Sequence, residues 1–193
     1  METFLSIAIG IGLAAACGFR VFVPLLILNI AAFTGYLFLP DGFAWMGSPY
    51  ATIAFAVATV CEILAYYVPW LDNALDTIAT PAAMIAGTIT SAAVFTDISP
   101  FLKWTMALIA GGGIAGFVQA STVLLRGKSL LFTGGAGNPV MSTLELVFAM
   151  TLALLALFAP VLALVLVVGF VFWALRKMAK RLWKRQGETN HPC

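Results

Sequence analysis

The sequence predicts an all-α fold, a polytopic membrane bundle of about six transmembrane helices, on the basis of its composition and its length. Hydrophobic residues make up 62% of the chain and charged residues only 9%, and the mean hydropathy is +1.04. A soluble domain carries about 25% charged residues, so this composition cannot cover a water-facing surface. We assign residues 1–185 to one transmembrane domain and residues 186–193 to a disordered cytoplasmic tail.

The first apolar tract is too long for one straight span. It covers residues 4–39, which at about 1.5 Å per residue exceeds a hydrocarbon core of roughly 30 Å. Gly18 and Pro24 lie near its middle beside Arg20 and predict a helix break there. We prefer a single broken span, which places both termini in the cytoplasm. A hairpin at the same point would add a span and move the N-terminus outside.

Four dipeptides predict where later helices begin, because each places an N-cap residue directly before a proline. They are Ser48-Pro49, Thr80-Pro81, Ser99-Pro100 and Asn138-Pro139. The cap side chain accepts a hydrogen bond from a free backbone N–H, and proline has no N–H to leave unsatisfied at the first helical position. Together with Pro160, they predict spans over residues 49–68, 81–95, 100 or 103–125, 139–159 and 160–180.

The segment 69–78, between the second and third predicted spans, has an amphipathic pattern. Asp72, Asn73 and Asp76 fall on one side of a helix whose other side carries leucine and isoleucine. We predict a short interfacial helix or a re-entrant piece here. The two aspartates offer hard oxygen groups suited to a cation, and a solvated helix face explains the same pattern.

Basic residues set the predicted orientation. Six of the ten crowd the C-terminal segment: Arg176, Lys177, Lys180, Arg181, Lys184 and Arg185. Positive residues near a span end mark the cytoplasmic side, so we place the C-terminus there, with Arg126 and Lys128 in a cytoplasmic loop and Lys103 alone on the other side. Such a segment is typical of an anchor that attracts anionic lipid headgroups, and not of nucleic-acid binding. The expected partners are membrane lipids and further copies of the chain, as a dimer or trimer.

The two halves of the chain, 1–98 and 99–185, share a pattern. Pro49 and Pro139 each open a span that carries one glutamate and ends at another proline, 20 and 21 residues further on. A glycine-interrupted stretch precedes each of these spans. The second stretch contains Gly112, Gly113 and Gly116. With three spans in each half, a duplication would insert the second copy inverted, with helices one and four broken, as in many secondary transporters.

Arg20 is the charged residue whose predicted position, inside an apolar tract, costs the most free energy of membrane insertion. A central arginine in a span costs about 2.5 to 3.5 kcal/mol even on the low insertion scales, so an acid is expected to pair with it. The acids within or near spans are Glu62, Asp72, Asp76 and Glu145. A structural salt bridge and a substrate site explain Arg20 equally well, whereas an intramembrane carboxylate such as Glu62 suggests a proton or cation site. Gln119 is able to line the same pathway or to bond across helices.

Side chains suited to catalysis are scarce. The single histidine, His191, lies in the tail, which excludes histidine-based acid–base or metal chemistry in the membrane. The three cysteines lack metal-like or redox spacing. The loop around Gly127 and Lys128 fails as a phosphate loop, because Thr122 stands where such a loop needs glycine. We therefore expect no enzyme activity, no metal and no cofactor.

A set of short motifs extends over almost the whole chain. They are Gly18-Phe19-Arg20 with Pro24, Gly47-Ser48-Pro49, Glu62, Pro69-x-x-Asp72-x-x-x-Asp76, Pro81, the glycine run 111–116, and Gly137-Asn138-Pro139 with Glu145. With these motifs the sequence resembles the bacterial membrane proteins grouped as domain of unknown function 4126 (DUF4126). The resemblance implies a compact multi-span protein of the bacterial inner membrane, and it implies no catalytic residues because the family has no established activity.

These observations favour a small ion or solute channel or transporter, with a polar pathway around Arg20 and the membrane acids. The alternative is a non-catalytic scaffold or a lipid-binding or lipid-translocating protein. A hydrated cavity that touches Arg20 and Glu62 would support transport. A dry, fully paired cluster would favour the scaffold, and lipid in a lateral cleft would favour lipid handling.

Overall fold

The computed structural model is all-helical over the residues that it describes. It describes the backbone of residues 2–67, 69–133 and 137–189, and the side chains of all of these except 69–76, 130, 133 and 181–189. The helices are α1 (Glu2–Cys17), α2 (Phe22–Phe33), α3 (Pro49–Ala65), α4 (Pro69–Val94), α5 (Pro100–Met106), α6 (Gly113–Thr133), α7 (Asn138–Phe158) and α8 (Pro160–Thr189). A 3-10 helix (Asp41–Gly47) precedes α3, and a π-helical segment (Ala107–Gly112) joins α5 to α6.

Within the described residues, four stretches are long and apolar enough to cross a membrane. They are Thr77–Val94, Pro100–Ser129, Asn138–Phe158 and Pro160–Lys180. The 3-10 helix and α3 provide a fifth if they form one span bent by 61°, and α1 and α2 are apolar but shorter. The all-helical membrane fold is confirmed, whereas the total of about six spans and the inverted repeat remain predictions. Helix α8 continues beyond the predicted start of the tail at residue 186, and residues 190–193 lie outside the described part.

The first apolar tract forms a hairpin. Three contacts with α7 show its course. In α1, a Cβ on Gly12 would lie 2.7 Å from that of Ala156, and after α1 the ring centroids of Phe19 and Phe148 are 5.7 Å apart. After α2, the ring centroids of Tyr36 and Phe158 are 5.3 Å apart. Helix α1 is therefore antiparallel to α7, and α2 returns alongside it. The single broken span that we preferred is wrong, because the chain reverses direction at residues 18–21.

Helix α8 runs in the same direction as α1. A Cβ on Gly12 would lie 3.3 Å from that of Ala163, and Ala15 shares a buried cluster with Val167. The start of α1 and the end of α8 consequently lie at opposite ends of the bundle. The expectation of two cytoplasmic termini depended on a single broken span and does not fit this arrangement.

Proline placement explains most helix starts. Ser48 caps α3, and its hydroxyl accepts a hydrogen bond from the Ala51 N–H at 3.2 Å. Helices α5 and α8 begin at Pro100 and Pro160, and α7 begins at Asn138, just before Pro139. Pro81 is the exception, since it lies inside α4, and the predicted separate helix over 69–78 is the first part of α4. Pro69 already begins this helix at a position that proline tolerates, and membrane helices accommodate an interior proline.

Small residues allow the helices to approach closely. Helix α1 lies at the centre of the bundle and packs against α4, α6, α7 and α8. The pair Gly112 and Gly116 faces α4, where added Cβ atoms would lie 2.5 Å from Thr88 Oγ1 and 2.7 Å from Met84 Cγ. Small residues at such contacts are typical of membrane helices. This glycine pair therefore packs within the chain.

Candidate functional site

The hairpin between α1 and α2 is held by hydrogen bonds from its own backbone and from α3. The N–H groups of residues 18–20 donate to carbonyls in the last turn of α1. Val21 and Phe22 donate to Oε1 and Oε2 of Glu62, at 2.8 and 3.0 Å. Pro24 has no N–H, so the first turn of α2 has one donor fewer to satisfy. Because an unsatisfied N–H costs several kcal/mol in a bilayer, the Glu62 carboxylate stabilises the reversal.

Arg20 lies at the tip of this hairpin with only 1% of its surface exposed. Its Nη2 donates to the Ser142 carbonyl on α7 at 2.9 Å and lies 3.8 Å from Glu145 Oε2. Its Cζ lies 3.9 Å from the centroid of the Tyr66 ring, just after α3, which is a cation–π distance. The expected acid is therefore Glu145, and an aromatic ring covers the guanidinium.

Arg126 binds the same glutamate. Its Nε donates to Glu145 Oε1 at 2.8 Å and its Nη2 donates to Oε2, so the two side chains pair as a fork. Its Cζ lies 4.2 Å from the Tyr66 centroid. The prediction of Arg126 and Lys128 in a cytoplasmic loop is wrong, because α6 continues to Thr133 and carries Arg126 into the bundle.

Five side chains thus form a charge cluster, which we define as Arg20, Glu62, Tyr66, Arg126 and Glu145. The cluster contains two arginines and two glutamates, so its formal charges balance. Both arginines contact Glu145, whereas the Glu62 carboxylate binds the backbone of the hairpin. The side chains of Arg20, Arg126 and Glu145 are 1%, 5% and 4% exposed. Breaking such a buried pair leaves a desolvated charge behind, which is strongly destabilising. The cluster therefore ties the α1–α2 hairpin to α3, α6 and α7.

The remaining predicted site residues contribute less to this picture. Gln119 is buried on α6, two helical turns before Arg126 and on the same face. The side chains of Asp72 and Asp76 lie outside the described part, so the cation site remains a prediction. Among the side chains that are described, no group of three histidine, cysteine, aspartate or glutamate residues is placed to hold a metal ion.

Two members of the cluster were missed by sequence reasoning. Tyr66 follows Glu62 by four residues, so helical spacing from α3 into its C-cap already places both side chains on the same side. For Arg126 the local signal pointed the other way, because the adjacent Gly127 and Lys128 are typical of a loop. A search that compared every basic residue near a span with the four membrane acids would have included Arg126 with Glu145 among its candidate pairs.

A lateral cleft of about 470 Å³ lies beside the charge cluster. Its floor is α1 and its walls are α6, α7 and α8. The lining includes Phe19, Leu125, Phe148, Leu152, Leu166 and Phe170. The few lining hydroxyls include Ser121, which donates to a carbonyl of its own helix at 2.8 Å. The cleft therefore presents an almost entirely apolar surface.

A second cavity of about 420 Å³ lies at the opposite end of the bundle. It is formed between the 3-10 helix and α5, and Lys103 lines it together with Phe43 and Trp104. The two rings lie 6.0 Å apart between centroids. Lys103 thus lies at the other end of the bundle from the basic residues of α8.

Comparison with known proteins identifies one matching family model. The family model described as domain of unknown function (DUF4126) matches residues 7–180, which include every member of the charge cluster and the whole lining of the lateral cleft. No curated protein and no solved structure matches the chain.

Proposed function

The chain belongs to the DUF4126 family, and on that premise we propose that it is a lipid-binding integral membrane protein. The lateral cleft holds an acyl chain of a bilayer lipid, and the charge cluster holds together the helices that form the cleft. The single observation that carries the proposal is the cleft, whose apolar lining and side opening suit an acyl chain. The proposed role is binding, with no catalytic step.

The bilayer supplies the occupant of the cleft. The helices that form its walls expose further apolar side chains around it, including Leu124, Met150, Leu162 and Val165. A cleft with such a rim opens toward hydrocarbon and not toward water. Its volume falls in the range of about 300 to 1,000 Å³ that is usual for ligand sites. An acyl chain is the neighbour available to cover this surface.

The charge cluster supports the proposal because it positions lining residues. The pairs are Phe19 beside Arg20, Leu125 beside Arg126, and Phe148 one turn after Glu145. Each buried charge thereby fixes a part of the cleft lining close to its own backbone. Charges that are buried and bonded to one another are typical of a structural lock, which favours binding in the cleft over conduction through the cluster.

Photocrosslinking tests the proposal. The protein is reconstituted in nanodiscs with a phosphatidylglycerol that carries a diazirine near the middle of one acyl chain, and crosslinked peptides are mapped by mass spectrometry. We expect crosslinks to concentrate on lining residues of α6 and α7 such as Leu125 and Leu152. Crosslinks spread evenly over all exposed apolar helix faces would exclude a specific site.

Adjacent positions on α7 offer a matched control. Thr151 lines the cleft, whereas Met150 is exposed outside the lining. Thr151→Trp fills the cleft and is expected to reduce the cleft crosslinks severalfold, while Met150→Trp places the same side chain on the bilayer face and leaves them unchanged. An equal effect of the two substitutions contradicts the proposal.

A small ion or solute channel or transporter is the second candidate. The observation that favours it is the position of the first turn of α2, which donates hydrogen bonds to Glu62 of α3 close to two buried arginines. The ends of such half-helices form the ion sites of many transporters. Flux of a panel of ions across proteoliposomes tests it, with wild type compared with Arg20→Ala and Glu62→Gln. Background-level flux for all three proteins excludes transport. Flux that both substitutions abolish would favour transport over lipid binding.

A further inference from the structure

We propose that the lateral cleft selects an anionic phospholipid from the leaflet at the basic end of α8, with the headgroup held between Lys128 and Lys177. This inference rests on the proposed acyl-chain site and adds the headgroup class. It comes from residues that continue two walls of the cleft beyond the lining, toward the end of the bundle where α8 carries its basic residues.

On α8, Lys177 continues the face that lines the cleft. Leu166 and Phe170 belong to the lining, and Lys177 follows Phe170 by two turns, about 10 Å further along the same face. Its Nζ lies 4.5 Å from the centroid of the Trp173 ring, and this cation–π contact keeps the ammonium close to the helix. Lys177 thus lies where the phosphate of a lipid would be if its chain filled the cleft.

On α6, Lys128 takes the corresponding place. It follows Leu125, a lining residue, by three positions, so it lies one turn further on the same face. Its side chain is exposed. Helix α6 runs in the same direction as α1, because Val118 packs with Ala15 and Arg126 reaches Glu145 beside Arg20. Helices α6 and α8 are therefore both antiparallel to α7, so Lys128 and Lys177 flank the same end of the cleft.

The third wall adds no opposing charge at this end within the described side chains. On α7, Leu144 and Met141 extend the face of Phe148 toward the same end. Glu145 is turned away, since its carboxylate pairs with Arg126 inside the bundle. Among the described side chains, the basic residues next to the lining at the mouth of the cleft are therefore Lys128 and Lys177. This suits a headgroup with a net negative charge better than a zwitterionic one, whose ammonium would meet the lysines.

Competition between lipid classes tests the inference. Crosslinking of the photoreactive phosphatidylglycerol to the cleft is measured while unlabelled phosphatidylglycerol or phosphatidylcholine is added. A basic residue near the headgroup contributes about fivefold to affinity for an anionic lipid, so wild type is expected to prefer phosphatidylglycerol about 25-fold. The double substitution Lys128→Gln with Lys177→Gln is expected to remove this preference.

Arg176→Gln is the matched control, because it removes the same charge one position away. Arg176 lies on another face of α8, with its Cζ 4.8 Å from the centroid of the Phe172 ring. It is expected to keep most of the preference, and Lys177→Gln to lose about fivefold. An equal loss in both variants would mean that general surface charge explains the preference, and it would overturn the inference.

Two further outcomes separate the possible failures. Equal competition by both lipids in wild type, with cleft crosslinks retained, overturns the headgroup class and leaves the acyl-chain site standing. If the photoreactive phosphatidylglycerol gives no crosslinks to the cleft even without a competitor, the proposed function itself is contradicted. Inorganic phosphate is added in a separate arm, and displacement as efficient as that by phosphatidylglycerol would assign the lysines to a free anion and overturn the lipid headgroup.

Discussion

Two of the interruptions that glycine marks in the sequence, at residues 18–21 and at residues 107–116, differ in outcome. At residues 18–21 the chain reverses direction between α1 and α2. Over residues 107–116 it continues in one direction, because a π-helical segment joins α5 to α6 within a single apolar stretch. The sequence presents both as broken helices at matching positions of two halves. In the structure, only the first one gathers a charge cluster.

The difference separates two physical roles. Glycine determines how closely one helix approaches another, as at Gly111, where a Cβ would lie 2.6 Å from the Gly87 carbonyl oxygen. A π turn retains hydrogen bonds within the helix. A reversal frees N–H groups that must find other acceptors in a bilayer. The first interruption therefore needs the Glu62 carboxylate from α3 as an acceptor. The second needs only small residues, which allow the neighbouring helix to approach closely.

Removal of Glu145 is expected to have the largest effect. Glu145→Ala leaves two buried arginines without their shared carboxylate, and we expect a loss of about 3 to 5 kcal/mol in the free energy of unfolding. Unfolding by SDS in mixed micelles measures it. Combining the substitution with Arg126→Met removes one unpaired charge and is expected to restore part of the stability. A double variant less stable than Glu145→Ala would contradict the pairing.

Removal of the acceptor at the hairpin is expected to have an effect of comparable size. Glu62→Ala leaves the N–H groups of Val21 and Phe22 without their carboxylate, at about 1 to 3 kcal/mol for each. Glu62→Gln retains one carbonyl oxygen and is expected to lose about half as much. The same unfolding assay measures both. Equal destabilisation by the two substitutions would contradict the view that the acceptor oxygens of residue 62 stabilise the reversal.

The smallest effects are expected in the glycine run. Gly111→Ala brings a Cβ 2.3 Å from Ser91 Oγ, and overpacking of this kind costs about 1 to 3 kcal/mol. Gly113→Ala is the control, because its Cβ would meet no described atom within 4 Å and alanine favours the helix by up to about 1 kcal/mol. Thermal unfolding in detergent compares the two. Equal effects would contradict the view that this interruption depends on space.

The parts of the fold that local chemistry determines were predictable from the sequence. A cap beside proline determines a helix start wherever it occurs, and α3 begins at Pro49 as expected. The reversal was not predictable in this way, because its acceptor, Glu62, lies 41 residues after Val21. In the site, the cost of a buried charge pointed to Arg20. Nothing local pointed to Arg126, because whether α6 continued past Gly127 depends on α7.

The long sequence separations within the charge cluster also determine when the hairpin is completed during synthesis. Val21 finds its acceptor 41 residues later in the chain, and Arg20 finds Ser142 after 122 residues. At about 5 to 20 residues per second, the arginine waits about 6 to 24 seconds for α7 to be made. The α1–α2 hairpin is therefore made before the helices that complete it, and it reaches its final state only after α7 has been synthesised.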